Sequence, residues 1–575
     1  MPSVFPPCPR RNLTTNVRRE TLSRLQASKS IGELKQIHAH VVRQEADRDV
    51  FVATKLLESV VVAGHLDYGH RLFDCIELPN AYTWTTMIRG FVEAKCYGKA
   101  VELYYRMRSV GVPPNNFTFL FMLKTYSFMG SCHEGRIIHG KIFRNGLDCD
   151  DYLHNALVSL YAKCGELESA QKLFEEMPQR NLATWNAMLN GYFIYGDVKV
   201  AQKLFDEMPE RNVVSWNTML GGYSRSGMLD LARSLFEVMP KKDLLSWSTM
   251  ISGYIQSGQA SEALELFHKM QLAGVGPDAV TMASVLSACA QIGALDTGKW
   301  VHAYVERKKL RHDVVLSTSL IDMYAKCGLI DMALQVFNTM QHRNLYSWNA
   351  LICGLAMHGM GHEALEFFGH MGKSCIMPNQ ITFVGVLCAC CHVGCVEEAR
   401  RQFRCMTEHF DIDPTIEHYG CMVDVLGRAG LIDMAKEVIE EMPMQPNIVV
   451  WGALLAACKI HGNMKVGAAV VKHLMELAPS EGGCYVLVSN IYAAGRRWDE
   501  AAKMRKAMRE MGVEKTPGCS CIEVNSVVHE FVVHDQSHPQ WEQIIELLDE
   551  LNIHLEEEGY LPDPSLLLYD IAEEI

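Results

Sequence analysis

A small residue returns along this chain at Gly135, Ala170, Ala201, Ala232, Ala263, Gly298, Ala333, Ala364 and Ala399, in steps of 35, 31, 31, 31, 35, 35, 31 and 35 residues. The surrounding sequence repeats with it: Tyr161–Asn181 reads YAKCGELESAQKLFEEMPQRN, Tyr192–Asn212 reads YFIYGDVKVAQKLFDEMPERN, and Tyr223–Asp243 reads YSRSGMLDLARSLFEVMPKKD. A fixed period of this length marks an array whose units cannot bury their apolar faces alone and must stack on neighbours. Each unit reads as two helices. Asn186–Tyr192 opens the first, Gly196-Asp197 supplies a turn, and Val198–Met208 carries Ala201, Leu204, Phe205 and Met208 at helical spacing. Pro209, which lacks an N–H, ends the second helix. The recurring alanine lets two helices approach closely. The expected fold class is therefore all-α: a right-handed superhelical solenoid of helix-turn-helix repeats, with a small C-terminal β-hairpin plus helix. Such an architecture favours a long concave binding groove over an enclosed catalytic pocket.

Composition narrows the reading further. With 575 residues, 49% of them hydrophobic, the chain excludes wholesale disorder and exceeds one ordinary core. Its 20 cysteines lack even spacing and read as reduced thiols. The longest apolar run, Ile448–Cys458, falls well short of the roughly 20 residues a membrane span needs, so no membrane partner is expected. Net charge is −13, and all of it lies in the last hundred residues: Glu476–Ile575 holds 20 acids against 7 bases, and from Thr516 onward there are 14 acids and no Lys or Arg. A neutral body and an acidic tail point to two different jobs. The first thirty residues carry Arg10, Arg11, Arg18, Arg19 and Arg24, several Ser and Thr, and one acid, Glu20. That composition is of an organelle transit peptide, mitochondrial ahead of chloroplast on the arginines, placed at about residues 1–20.

Units of 31, 35 and 35 residues, openings such as Val213–Tyr223 (VVSWNTMLGGY) and closings such as Leu204–Asn212 (LFDEMPERN) resemble plant pentatricopeptide repeat proteins of the mixed-length (PLS) class. The tetratricopeptide pattern Trp-x-x-Leu-Gly-x-x-Tyr is absent. The resemblance implies a repeat array over 21–447 and degenerate extension (E) repeats over 448–515. Over 516–575 it implies an E+ tail beginning at a Pro-Gly box (TPGCSCIEVNSVVHEFVVHDQSHPQ).

It also implies that each repeat reads one RNA base with two side chains, its fifth and its last. Here those pairs are Thr54/Asn80, Thr85/Asn115, Asn155/Asn181, Asn186/Asn212, Asn217/Asp243, Ser248/Asp278, Thr318/Asn344 and Asn349/Asn379. All are short hydrogen-bonding side chains. Asp accepts the ring N–H of uracil or guanine, and an Asn amide donates to the bare ring nitrogen of adenine or cytosine. A small hydroxyl at the fifth position leaves room for a purine, while Asn reaches a pyrimidine. The order expected from 5′ to 3′ is A, A, unread, pyrimidine, pyrimidine, U, G, unread, A, pyrimidine, then two weakly read positions. Asn, Asp, Ser and Thr are also preferred helix N-caps, which gives the same pattern a competing structural explanation. Leu120/Asp150, Ala283/Asp313 and Val384/Thr415 have apolar fifth residues and read as spacers, and Gly420/Asn447 reads poorly.

Other motifs carry less. Cys388–His392 matches a haem-attachment pattern but lies where a related repeat has the core sequence LSACAQIGAL. Cys519 and Cys521 are too close for a zinc Cys-x-x-Cys pair, and His554-Leu-Glu556, the one His-x-Glu of the tail, is followed by no Cys. A zinc deaminase needs His-x-Glu followed by Pro-Cys-x-x-Cys. No metal, no other cofactor and no catalytic residue is therefore expected. Runs at Cys521–Val524 and Val527–Val533 about Asn525-Ser526 read as a β-hairpin, followed by a helix over Pro539–Glu558. The function that the resemblance implies is a sequence-specific factor for organellar C-to-U RNA editing. It would bind single-stranded RNA, select the cytidine and recruit a deaminase-bearing protein in trans through the acidic C-terminal region. An RNA-stabilising factor or a protein-binding solenoid adaptor is the alternative.

Overall fold

The computed structural model describes residues 15–560 apart from short stretches at 28–29, 45, 149, 178, 309–312, 478–481, 495–496, 514–518, 525–526 and 533–534. The first fourteen residues of the expected targeting segment, Pro517-Gly518 of the Pro-Gly box, the Asn525-Ser526 turn and the end of the tail at 561–575 lie outside the described residues. The chain forms two compact units, Met1–Gly253 and Tyr254–Ile575. Within each, inner and outer helices alternate in stacked pairs, as the all-α repeat reading expects. In the first unit Val50–Val62 pairs with Leu66–Asp74, and the alternation continues to Val213–Arg225 with Leu229–Val238. In the second, Ala279–Ile292 pairs with Leu295–Lys308, and so on to Ile416–Arg428 with Ile432–Glu440. Four more helices, Ile448–Ile460, Met464–Leu477, Gly482–Ala494 and Trp498–Glu510, follow in the expected extension region. They share one core with the repeats before them, running from Leu387 through Leu426 and Leu455 to Val488 and Ile491. The expected hairpin is present: strand β1 (Cys519–Val524) pairs antiparallel with β2 (Val527–Val532), Val524 opposite Val527, and a helix Trp541–Glu557 follows.

The small-residue ladder is the packing seam. Ala170, Ala201, Ala232, Ala263, Ala333, Ala364 and Ala399 are fully buried. Where the ladder has glycine the approach is closer still: a Cβ on Gly135 would stand 2.4 Å from a Leu160 methyl, and one on Gly298 would stand 2.5 Å from the Met323 sulfur. Between the paired helices the chain turns at Gly196, with φ +84°, and the Asp197 N–H donates to the Tyr192 carbonyl at 2.9 Å. This αL glycine with its six-to-one bond closes a helix C-terminus without cost to a side chain.

Several boundaries differ from the sequence reading; β1 begins at Cys519 rather than Cys521, and the last helix runs Trp541–Glu557 rather than Pro539–Glu558. The first helix of the illustrated repeat is Leu182–Ile194, four residues earlier than Asn186, because Asn181 caps it. The second stops at Glu207, with Met208 already extended at φ −63°, ψ 125°. Pro209 disfavours a helical conformation at Met208, and the helix ends before it. The Arg211 guanidinium takes the Phe205 carbonyl from Nε and the Asp206 carbonyl from Nη2, each at 2.9 Å, satisfying acceptors that a helix C-terminus leaves open. The same guanidinium lies 4.8 Å from the Phe205 ring centroid, and Phe205 meets Trp216 of the next repeat edge-to-face at 5.1 Å. Arg180 and Arg343 repeat this arrangement over Phe174 and Phe337. At the N-terminus, residue 20, the expected end of the targeting segment, falls inside a helix, Thr15–Ala27, whose Arg18 Nε donates to Asp49 at 2.6 Å.

Overfilling the seam should loosen the array locally, because a stacked repeat feels only its neighbours. Ala201→Leu is expected to cost about 1–3 kcal/mol. Urea unfolding should begin earlier, and hydrogen exchange should accelerate in Leu182–Ile194 and Val198–Glu207 while Ile416–Arg428 is unchanged.

Candidate nucleic-acid interface

The last residue of each reading repeat is the N-cap of the following inner helix. Oδ1 of Asn80, Asn115, Asn181, Asn212, Asp278, Asn344 and Asn379 accepts the N–H of the third helical residue: Thr83 at 2.9 Å, Thr118 at 2.8 Å, Thr184 at 3.1 Å, Ser215 at 3.0 Å, Thr281 at 2.8 Å, Ser347 at 3.0 Å and Thr382 at 3.1 Å. Asp243 Oδ1 accepts from Ser246 N at 2.9 Å in the same way. Capping is therefore real, and it uses one atom of two. Among the described residues, Nδ2 of Asn80, Asn115, Asn181, Asn212, Asn344 and Asn379 makes no hydrogen bond, nor does Oδ2 of Asp243 or Asp278. The capping explanation and the base-reading explanation draw on different atoms of one side chain.

The third helical residue is a site component that the sequence reading missed. It is Ser or Thr in all eight cases and fully buried in each. In four of the eight it also reaches the fifth residue of the preceding repeat. Thr83 meets Thr54 at 2.8 Å, Thr118 meets Thr85 at 2.7 Å, and the hydroxyls of Thr184 and Thr382 donate to Oδ1 of Asn155 and Asn349, the latter at 2.6 Å. The pattern Asn/Asp-x-x-Ser/Thr, a relative of the capping box, was the available signal.

Through this network, or directly, the structure brings five pairs together. Asn217 Nδ2 donates to Asp243 Oδ1 at 3.0 Å and Asn349 Nδ2 to Asn379 Oδ1 at 3.0 Å, and Thr85 Oγ1 lies 3.5 Å from Asn115 Oδ1. Thr83 links Thr54 to Asn80, and Thr184 links Asn155 to Asn181. Among the described residues no hydrogen bond joins Asn186 to Asn212 or Thr318 to Asn344. Ser248 belongs to the first unit and donates to the Leu245 carbonyl at 3.1 Å, while Asp278 belongs to the second. Thr54, Thr85 and Thr318 turn their hydroxyl protons onto the carbonyls of Val50, Ala81 and Val314, which leaves them acceptors toward a ligand. Burial works to raise the pKa of Asp243, and the hydrogen bonds from Asn217 and Ser246 overcome it, so the carboxyl lies below its ordinary value and stays an ionised acceptor at neutral pH. The Oδ1 atoms of Asn186 and Asn217 are buried and have no partner among the described residues. An unpaired buried carbonyl of this kind costs about 1–3 kcal/mol.

A second row runs beside the polar one. The second residue of the inner helices is apolar and exposed: Phe51, Tyr82, Phe117, Tyr152, Val214 and Leu245 in the first unit, and Val280, Val315, Tyr346, Ile381 and Val449 in the second. Ala183 and Glu417 interrupt it. In the first unit Tyr152, Asn155, Asn181 and Asn186 line a hollow of about 1140 Å³ together with Leu120, Lys124, Lys163 and Arg180. Leu120, expected to be a spacer, thus lines the same hollow without a polar group. In the second unit Thr318, Tyr346, Asn349 and Ile381 share a hollow of about 410 Å³ with Asp322 and Lys326, whose side chains pair at 2.9 Å. The rejected motifs are where packing puts them. Cys390 and Cys391 are core residues, with the Cys391 thiol on Asp424 at 2.8 Å, and Cys519 and Cys521 are exposed on β1. Among the described residues no group of three or more His, Cys, Asp or Glu could hold a metal ion, and no helix is long and apolar enough to cross a membrane.

This geometry meets its counterpart in known proteins. The PPR repeat family matches at 79–127, 242–291 and 343–392, and the PPR repeat at 152–182, 183–213, 214–244, 315–345, 381–409 and 417–445. The E motif matches at 461–523 and the E+ motif at 528–552. Pentatricopeptide repeat-containing protein At5g66520 of Arabidopsis thaliana is 46% identical over 96% of this chain and 85% of its own length. The chain belongs to the pentatricopeptide repeat family. Its E and E+ motifs place it in the E/E+ subgroup of the PLS class. Two further Arabidopsis PPR relatives are At1g08070, chloroplastic, 40% identical over 96% of this chain and 85% of its own, and At2g22410, mitochondrial, 39% identical over 92% and 72%.

The two uses of one cap can be separated. Asn212→Ala removes both atoms and should cost about 1 kcal/mol of stability, whereas Asn212→Asp keeps the capping oxygen and should be near neutral in urea unfolding. A PPR array in which both substitutions cost the same would need both atoms of Asn212 for the fold.

Proposed function

We propose that this PPR protein binds single-stranded RNA, one base per reading repeat, and serves organellar C-to-U editing by selecting a cytidine for a deaminase that another protein supplies. The observation that carries the reading is the division of labour within each cap: Oδ1 holds the helix, and Nδ2 of Asn or Oδ2 of Asp is left at the groove, beside a fifth residue of complementary character. PPR repeats are read as a base code of two or three side chains per unit. The exposed second residues supply faces on which bases stack, a contribution of about 1–3 kcal/mol per base that tolerates any sequence. Lys124, Lys163 and Lys326, on inner helices at the hollows, supply charge for the phosphates. The editing role rests on the E and E+ motifs. The helix Trp541–Glu557 supports it, since it buries no residue among those described and exposes Leu547, Leu548, Leu551, Ile553 and Leu555 beside six acids and no Lys or Arg. That face suits a protein and repels RNA. The arginine-rich N-terminus supports a mitochondrial location, with the chloroplast as alternative; the names of the two relatives, one chloroplastic and one mitochondrial, support an organelle without choosing between them.

The test of reading is Asp243→Asn. The cap is preserved, Oδ1 for Oδ1, and an Nδ2 donor replaces the Oδ2 acceptor that would take the uracil N3–H. Preference at that one base should move from U toward C by about 1–3 kcal/mol, the figure for bidentate base readout in DNA. Gel shifts on synthetic RNAs differing only at that position measure it, and an unchanged ranking would mean that Asn217 and Asp243 only build the fold.

Deleting Thr516–Ile575 is expected to leave RNA affinity within about twofold, since the tail brings no positive charge to phosphate, and to abolish editing in the organelle. If the truncated chain still supports editing, the tail is not the element that recruits the deaminase.

A further inference from the structure

The hairpin does not stand apart from the repeats. Glu523 on β1 reaches the start of the outer helix Leu295–Lys308, more than two hundred residues earlier in the chain. Its carboxylate accepts the N–H of Asp296 at 2.6 Å, the N–H of Thr297 at 3.1 and 3.2 Å, and the Thr297 hydroxyl at 2.5 Å. One repeat earlier, the hydroxyl of Ser261, second residue of the outer helix Ala260–Leu272, donates to Glu530 of β2 at 3.3 Å. The first-turn amides of a helix have no partner within it and carry its positive dipole end. The residue before Leu295 is Ala294, whose methyl side chain cannot cap. Glu523 supplies the missing cap from a distant part of the chain. Two inner-helix thiols lie in its field: burial first, and then the Glu523 charge, push Cys327 up to about 11 and raise Cys289 as well.

We propose that the edge formed by the starts of helices Ala260–Leu272 and Leu295–Lys308 is a docking surface for the chain's own β-hairpin, and that Glu523 is the residue that seats it. The seat is releasable, because it consists of one carboxylate on one helix start with a second, weaker hydroxyl contact beside it. While seated, it fixes where the acidic helix is presented. Trp541 follows Val532 by nine residues, so that helix begins within about 30 Å of the end of β2. The inference stands on these contacts alone and holds whether or not the array reads RNA.

Hydrogen exchange of the full chain, resolved to single amides, tests it. In the native protein the amides of Asp296 and Thr297 should be protected, unlike the first-turn amides of an uncapped outer helix. Glu523→Ala should lower that protection at least tenfold and Glu523→Gln by less, with Ile416–Arg428 unchanged as the control for folding. Thr297→Val removes one donor without touching the hairpin. It should accelerate exchange in Val527–Val532 and have no further effect once Glu523 is already Ala, because the two groups act as a pair. Native protection absent at Asp296 and Thr297, or additive effects of the two substitutions, overturns the proposal. Protection that rises with protein concentration also overturns it, since the hairpin would then be seated on a second copy.

Discussion

A helix must begin somewhere, and its first amides need acceptors that the helix cannot provide. In this array the requirement recurs at every inner helix, and at most of them the chain meets it with a short side chain holding two polar atoms; Thr415 has one hydroxyl, and Asp313 makes no side-chain cap. Fixing Oδ1 of Asn181 on Thr184 sets the direction of the remaining amide. That direction is what converts a structural necessity into a row of donors and acceptors. A longer side chain such as Gln would lose the cap, and a shorter one such as Ser would keep the cap and have nothing left over. The choice between Asn and Asp is then almost free for the fold, which is the condition for it to vary with a ligand.

The row is useful only if consecutive caps stand at a constant spacing, and that is imposed by the seam. Ala201 and its equivalents allow the close approach of helices, Gly135 and Gly298 an even closer one. The Ser or Thr at the third helical position then ties one repeat's fifth residue to the next repeat's cap, as Thr382 does between Asn349 and Asn379. Its buried hydroxyl would be costly without both partners. Polar satisfaction in the core and register in the groove are the same set of hydrogen bonds. An unpaired carbonyl at Asn186 or Asn217 is the exception within that set, and it lies at the reading surface.

Much of this was legible in the sequence because it is periodic. The ladder of small residues, the alternation of two helices, the glycine turn at Gly196 and the polar pairs all repeat, and repetition exposes a constraint that any single unit would hide. What was missed is directional. The apolar second residues such as Tyr152 and Val280 look like core by composition, and only the orientation of the inner helix reveals that they face outward. The start of Leu182–Ile194 was misplaced because Leu182 and Trp185 precede the clearest run of periodicity, and the capping role raised for residues such as Asn181 was not used to set the helix start. Arg211 was not singled out from the sequence. Its part in closing a helix depends on a ring and two carbonyls five and six residues back, which spacing alone does not mark. The partner of Glu523 was beyond reach, since nothing in a linear pattern joins strand β1 to a helix start in the middle of the array.

Charge completes the arrangement. The first 475 residues carry equal numbers of acids and bases, so under the proposed function their groove would attract RNA weakly and rely on local basic side chains, stacking faces and base contacts. Such a surface discriminates well, because little of its affinity comes from phosphate that every RNA offers alike. An acidic tail left loose near that groove would oppose binding at low salt. A carboxylate bound to helix amides is compensated where it sits, by the positive end of the helix dipole. Seating Glu523 on Leu295–Lys308 therefore places part of the tail's charge where the array can tolerate it. It leaves the acids and leucines of Trp541–Glu557 as the portion of the tail still exposed to a partner.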